Sequence, residues 1–300
     1  MVKADLKDPR ELYKVSGFEE QEQPAPALQG KMRPKPDCGE ADYQGREQLM
    51  NRKVLITGGD SGIGRAVAIA FSREGADIAL QYLPGEESDA NEVAGLIESA
   101  GRKAVLIPAD FKMQEAPQQV VAQAVAQLGG LDTVVLNAAQ QVAHPTLEDL
   151  PIQQVRDSFE INVVAMYGIA KAAIAHIPAG GSILTTTSIQ GFNPSSQLLD
   201  YAATKAAIRN FTINLAQQLA DKGIRVNGVA PGPIWTPLQL AQGQLEGALP
   251  KFGQNTLLKR AGQPVEVAPV YVFLASNAAS YITGQIYGVT GGESDRKSVV

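Results

Sequence analysis

From residue 53 to residue 289 the chain alternates short apolar runs with longer stretches of helical spacing, and this alternation leaves few folds open. The runs KVLIT (53–57), DIALQY (77–82), KAVLIP (103–108), DTVVLNA (132–138), SILTTTS (182–188), RVNGVAP (225–231) and a last one near 285–289 are brief and nearly free of charge at their centres. Strands covered on both faces read this way. Between them, apolar residues recur at helical spacing over 63–75, 88–101, 116–130, 152–176, 201–221 and 264–276, and several of these stretches stop at or beside glycine, a helix terminator. Strict strand–helix alternation predicts an α/β fold: one doubly wound parallel sheet with helices on both faces. No repeat or long linker interrupts the chain after residue 51, so a single domain is expected over 51–292, followed by a polar tail over 293–300.

The first 50 residues have a different texture. Prolines and charges without periodicity, as in EEQEQPAPALQGKMRPKPDCGE, predict an extended or partly disordered arm. Tyr13, Phe18, Leu28, Met32 and Tyr43 offer it apolar anchors. A loose tail and an arm laid over the domain or over a neighbouring subunit both fit.

Composition narrows the function. A formal charge of −5 argues against a surface for the nucleic-acid backbone. Cys38 is the only cysteine and has no intrachain partner, which suits a reducing compartment. No apolar run approaches the roughly 18 residues of a membrane span, and the start lacks the apolar core of a secretory signal. A cytoplasmic protein is expected. His144 and His176 stand apart and give no metal-ligand spacing, so no metal is expected.

The first strand runs into TGGDSGIG, where Gly58, Gly62 and Gly64 follow G-x-x-x-G-x-G. Glycine lets a backbone turn with positive φ and approach a ligand closely. The helix after it presents free N–H groups and a positive dipole end to a phosphate, and Ser61 adds a hydroxyl. The spacing is a variant of the dinucleotide fingerprint G-x-G-x-x-G. Three glycines also make a plain tight turn; their place between a first strand and an amphipathic helix favours a dinucleotide.

Further on, LLDYAATKAAI places Tyr201 and Lys205 four residues apart on one helix face. A free phenol has a pKa near 10, and lowering it by about three units takes roughly 4 kcal/mol. A cation about 5 Å away contributes on the order of 3 kcal/mol at an effective dielectric of 20. Lys205 is thereby expected to supply most of the shift that makes Tyr201 a base. A packed phenol beside a solvated amine is the ordinary reading of such a pair when it stands alone.

It does not stand alone. TGGDSGIG, LNAA (136–139), Asn162 in FEINVVAMYG, Ser188 in TTTSIQG thirteen residues before Tyr201, YAATK (201–205) and VAPGPIWTP (229–237) occur in order. Together they resemble the short-chain dehydrogenase/reductase family over residues 51–292. The likeness points to a bacterial branch of general-stress or uncharacterised oxidoreductases with a long N-terminal arm. The resemblance implies a Rossmann-type fold and hydride exchange between a nicotinamide and a carbonyl–alcohol pair. It assigns proton transfer to Tyr201, a hold on the substrate oxygen to Ser188, a grip on the nicotinamide ribose to Lys205, and a water in line with Lys205 to Asn162. It places Gly58, Asp60, Ser61, Gly62, Ile63 and Gly64 at the cofactor, with Asp110 and Phe111 at the adenine and Asn137 and Ala138 under the adenosine. Ala139 replaces the usual glycine. Pro231 and Gly232 shape the nicotinamide loop, and Ile234 and Thr236 meet the carboxamide.

An acid at the end of the second strand would grip the 2′-hydroxyl of NAD and repel the 2′-phosphate of NADP. Neutral Tyr82 occupies that place, which leans toward NADP, with NAD as the alternative. Gln141, Gln190, Phe192, Trp235 and Leu238 are candidates for the substrate pocket. No lysine or arginine lies in IQGFNPSSQLL (189–199), so a small neutral aldehyde, ketone or alcohol is expected. Family members form tetramers or dimers, and a homotetramer is expected here. A nucleotide-binding regulator with little turnover, or a sugar epimerase or dehydratase sharing Tyr-x-x-x-Lys, are the competing readings. The G-x-S-x-G elbow of a serine hydrolase is absent.

Overall fold

The computed structural model describes residues 6–293; residues 294–300, most of the expected polar tail, lie outside them. Seven strands form one sheet, all parallel, in the order β3-β2-β1-β4-β5-β6-β7. They are β1 (Lys53–Thr57), β2 (Asp77–Tyr82), β3 (Ala104–Pro108), β4 (Thr133–Leu136), β5 (Ser182–Thr186), β6 (Arg225–Pro231) and β7 (Ile286–Val289). The helices are α1 (Gly62–Arg73), α2 (Glu87–Ser99), α3 (Ala116–Leu128), α4 (Ile152–Phe159), α5 (Ala165–Ala173), α6 (Leu199–Leu219) and α7 (Pro264–Ala275). This is the Rossmann-type architecture expected from the alternation.

The pleat divides the core in two. Val54 and Ile56 of β1 point into the layer under α1, α2 and α7, whereas Leu55 points into the layer under α3, α5 and α6. All three are fully buried. Covering both faces in this way is what makes the strands read as unbroken apolar runs. The order reverses between β1 and β4, and in open parallel sheets ligands bind at the strand C-termini beside such a reversal.

The helix expected over 152–176 is not continuous. A π-helical turn over Glu160–Val164 separates α4 from α5, which ends at Ala173. Such turns are local widenings often found at functional sites, and this one carries Asn162.

The arm lies over its own domain. Phe18 stacks on Trp235 with ring centroids 3.8 Å apart, and the Trp235 indole N–H donates to the Pro34 carbonyl at 2.8 Å. The Gln29 and Gly30 amides donate to the two carboxylate oxygens of Asp89 on α2. The Tyr43 hydroxyl donates to Glu74 at 2.7 Å. The Arg65 side chain, fully buried, pairs with Glu40 of the arm and with Glu92. Cys38 is buried, and burial pushes its thiol up to about 12.

Candidate active site

At the C-terminal ends of β1, β4, β5 and β6 opens a cleft of about 640 Å³, within the range of small-molecule and cofactor sites. Its floor at one end is the glycine turn. Gly58 has φ +61° and Gly62 φ +51°, conformations that side chains disfavour. Asn137 braces the turn by donating from Nδ2 to the carbonyls of Thr57 and Gly58. α1 begins at Gly62, and the amides of Ile63 and Gly64 in its first turn find no acceptor among the described residues. Unpaired amides at the start of a twelve-residue helix suit the phosphates of a dinucleotide. The chain's own groups therefore fit that cofactor.

The next corner is framed by the β2–α2 loop and β3. Asp110 and Phe111 line it. Asp60 is 2% exposed, and its Oδ2 has no hydrogen-bond partner among the described residues. Burial pushes its carboxyl up to about 6. Glu86 also faces the cleft and accepts from the Leu83 amide at 2.9 Å. Burial, with Asp60 nearby, pushes it up to about 8. Two expectations change here. Tyr82 packs into the core under α1 and α2, so its neighbours Gln81 and Leu83 line the cleft in its place. An acid does reach this corner, but from the loop after the strand. Arg65 offers it no cation, being held by Glu40 and Glu92.

Ser188, Tyr201 and Lys205 share one wall at the far end. Ser188 follows β5 and accepts the Gln190 amide on its hydroxyl at 3.1 Å. Tyr201 and Lys205 sit one turn apart on α6, with the Lys205 ammonium 5.3 Å from the Tyr201 ring centroid. Lys205 donates to the Thr186 carbonyl at 2.9 Å. Both side chains are deeply buried, and this reverses one expectation. Burial pushes the Tyr201 phenol up to about 12, with the Ser188 hydroxyl working in the other direction. Burial also pulls Lys205 down to about 7. Desolvation disfavours both charged forms and outweighs their mutual attraction, so without further positive charge the phenol keeps its proton.

Asn162 stands behind this wall and does not line the cleft. Its Oδ1 accepts the Gln140 amide at 2.7 Å. Its Nδ2 donates to the Gln140 carbonyl and to the Thr204 hydroxyl, next to Lys205. Gly64 is likewise not a lining residue; it lets α1 pass close to the Gly58 carbonyl. Of the substrate candidates, Gln141, Gln190 and Leu238 line the cleft. Trp235 does not, because Phe18 of the arm covers it. Phe192 turns away under Arg209, whose guanidinium carbon is 4.5 Å from the ring centroid. Ile63, Ala138, Pro231, Gly232, Ile234 and Thr236 line the cleft. Sequence reasoning missed the arm residues Ala25–Ala27, which also line the cleft; nothing local in APA marks them as a wall.

The buried ammonium has a stability consequence. Below about pH 7 Lys205 is charged in the folded and the unfolded chain alike, and folding carries the full cost of burying that charge. Between about 7 and 10.5 the unfolded chain binds more protons than the folded one, so stability rises with pH. Lys205→Met is expected to raise the Tm of the cofactor-free protein by about 5 °C near pH 6, with the gap closing toward about pH 10. Thermal melts at the two pH values check this; a lower Tm near pH 6, or a constant gap, contradicts it.

Fold, glycine turn and buried Tyr–Lys pair define a dinucleotide-binding α/β oxidoreductase. Comparison with known proteins sharpens the class. The family model described as enoyl-(acyl carrier protein) reductase matches residues 58–294. An uncharacterized oxidoreductase of Bacillus subtilis, YhxD, is 56% identical over 97% of this chain and 99% of its own length. The NADPH-dependent aldehyde reductase 1 of Arabidopsis thaliana chloroplasts is 43% identical over 91% of this chain and 97% of its own. A short-chain dehydrogenase from Burkholderia cenocepacia, solved in complex with NADP, superposes with a TM-score of 0.76 at 32% identity, covering 82% of this chain and 98% of that one. The chain belongs to the short-chain dehydrogenase/reductase family.

Proposed function

We propose that the protein interconverts a small neutral carbonyl compound and the corresponding alcohol with NADP(H). The observation that carries this reading is the convergence of Ser188, Tyr201 and Lys205 on one wall of a cleft whose other end is a phosphate-binding glycine turn. When bound, the nicotinamide supplies or accepts the hydride. The protein handles the proton. In reduction the Tyr201 hydroxyl donates its proton to the substrate oxygen; in oxidation the phenolate takes it back. Ser188 donates a hydrogen bond to that oxygen and steadies the charge that develops on it. Lys205 stands one turn from the phenol, where it would hold the nicotinamide ribose, and Asn162 fixes Gln140 and Thr204 around it.

NADP(H) as cofactor is supported by the NADP complex of the Burkholderia neighbour and by the NADPH dependence of the Arabidopsis relative. Glu86 does not oppose this. Burial, with Asp60 nearby, favours its protonated form, which can donate to a 2′-phosphate.

The lining argues for the substrate class. Gln140, Gln141, Gln190, Gln197, Gln239 and Gln244 all face the substrate end. Amides offer neutral donors and acceptors, as hydroxyls and carbonyls require. The lining cations are Lys112, paired with Asp157 at 2.6 Å, and buried Lys205. An anionic substrate would find no free partner among the described lining residues. The enoyl-reductase description belongs to the family model; a reacting carbonyl oxygen suits the Ser188–Tyr201 pair more directly.

Among the described residues no helix is long and apolar enough to cross a membrane. The reduced thiol of Cys38 supports a cytoplasmic site of action. Exposed Val164 and Tyr167 on α4–α5 and Leu199 on α6 support assembly, as a tetramer or dimer, through these helices.

The test is nicotinamide absorbance with small aldehydes, ketones and aldoses plus NADPH, and with alcohols and polyols plus NADP. Turnover of neutral hydroxylated members of the panel is expected. Tight cofactor binding with no turnover of any member would favour a regulatory role.

A further inference from the structure

We propose that residues 25–29 of the N-terminal arm are a working part of the cofactor site: Ala25–Ala27 wall its 2′-ribose corner, and Gln29 holds the phosphate turn in its binding shape. This rests on the functional reading above.

Two placements carry it. Ala25, Pro26 and Ala27 line the cleft together with Leu83, Glu86 and Asp60. The loop after β2 is where a dinucleotide fold meets the 2′ position of the adenosine ribose. The contact with that loop is close, since a Cβ built on Gly85 would stand 3.3 Å from the Pro26 ring. The arm therefore closes the corner that separates NADP(H) from NAD(H), a corner usually shaped by the strand end alone.

The second placement is Gln29, which has no exposed surface. Its Oε1 accepts the Gly62 amide at 2.7 Å, at the first residue of α1. Its Nε2 donates to the Cys38 sulfur at 3.3 Å, and that thiol donates in turn to the Gly62 carbonyl at 3.5 Å. The arm thus holds Gly62 from both its amide and its carbonyl. The amide of Ile63 remains for phosphate. Gly62 sits at φ +51°, and the arm's two bonds hold it there. The same arm is fastened to the loop beyond the nicotinamide through Phe18 on Trp235 and through the Gln23 amide on the Leu240 carbonyl at 3.2 Å. It spans both ends of the cleft.

The test is the dissociation constant of NADPH and of NADH for the parent, Ala25→Trp and Gln29→Ala, with Tm measured alongside. Ala25 is exposed, so tryptophan there crowds the corner without touching the core. Ala25→Trp is expected to weaken NADPH about tenfold and NADH less, with an unchanged Tm. Gln29→Ala is expected to weaken both cofactors about tenfold, the effect of one lost buried hydrogen bond on the phosphate turn. Unchanged dissociation constants for both variants, even with a lower Tm, would make the arm a strap and overturn the inference. A parent that binds neither cofactor would instead overturn the functional reading.

Discussion

Tyr201→Phe is expected to lower turnover by about 10²–10⁴-fold, the usual contribution of a positioned general acid or base, while cofactor affinity stays within about twofold of the parent. The expectation follows from position. Tyr201 is a buried phenol with Ser188 and Lys205 as its polar neighbours, and burial keeps it protonated to about 12. Phenylalanine fills the same space and removes only the hydroxyl. Because that hydroxyl is buried, its loss leaves the packing of α6 intact, and Tm is expected to hold. Steady-state kinetics with a responsive carbonyl, together with nicotinamide fluorescence, separate the two effects. Parent-like turnover would take the proton away from Tyr201. Lost cofactor binding would turn it into a structural residue.

Gly64→Ala is the second large effect, and it works through packing. A Cβ at residue 64 would overlap the Gly58 carbonyl oxygen and stand 2.8 Å from the Asn137 side-chain nitrogen. Gly58 belongs to the turn itself, and Asn137 already holds the Thr57 and Gly58 carbonyls. Neither can move aside without pulling the turn open. Overpacking of this kind costs about 1–3 kcal/mol, and relief is available only by displacing α1 from β1. The Ile63 amide left for phosphate is on that helix. The variant is expected to melt several degrees lower and to lose cofactor affinity by more than about 100-fold, since the anchored phosphates contribute several bonds at once. Titration of NADPH against variant and parent checks this. Parent-like affinity would show that the turn has slack the structure does not display.

The particular residues show how far sequence carries and where it stops. The strands β1, β2 and β6 end where the sequence places their ends, because apolar runs meet a glycine turn, a loop proline or a strand-ending Pro231. The pairing of Tyr201 with Lys205 was legible from spacing, since a helix fixes the face shared by residues 201 and 205, whereas Ser188 entered through the family resemblance. The π-turn around Asn162 was not. FEINVVAMYG keeps helical spacing on either side of the widening, and the backbone that Asn162 bonds there, at Gln140, lies more than twenty residues away. Trp235 fell to the same blindness. An aromatic after the cofactor loop reads alike whether a substrate or Phe18 covers it. The direction of the Tyr201 shift depended on burial: a Coulomb estimate sees the ammonium and misses the desolvation of both partners. Glu86 and not Tyr82 lines the cleft because a strand residue alternates faces, whereas the loop after it folds back over the cleft. The arm was left open by its sequence, and its course is set by partners scattered from Gly62 to Val265.

Everything proposed for this cleft turns on a phenol that stays neutral alone and gives up its proton when positive charge arrives beside it. The direct measurement is the ionisation of Tyr201, followed by NMR of carbon-labelled tyrosine with Tyr201→Phe to assign the signal. In the cofactor-free protein the signal is expected to titrate near 12. Saturation with the oxidised cofactor, whose ring is cationic, is expected to bring it down by about two units or more. A signal that titrates at the same pH with and without the cofactor would contradict the account.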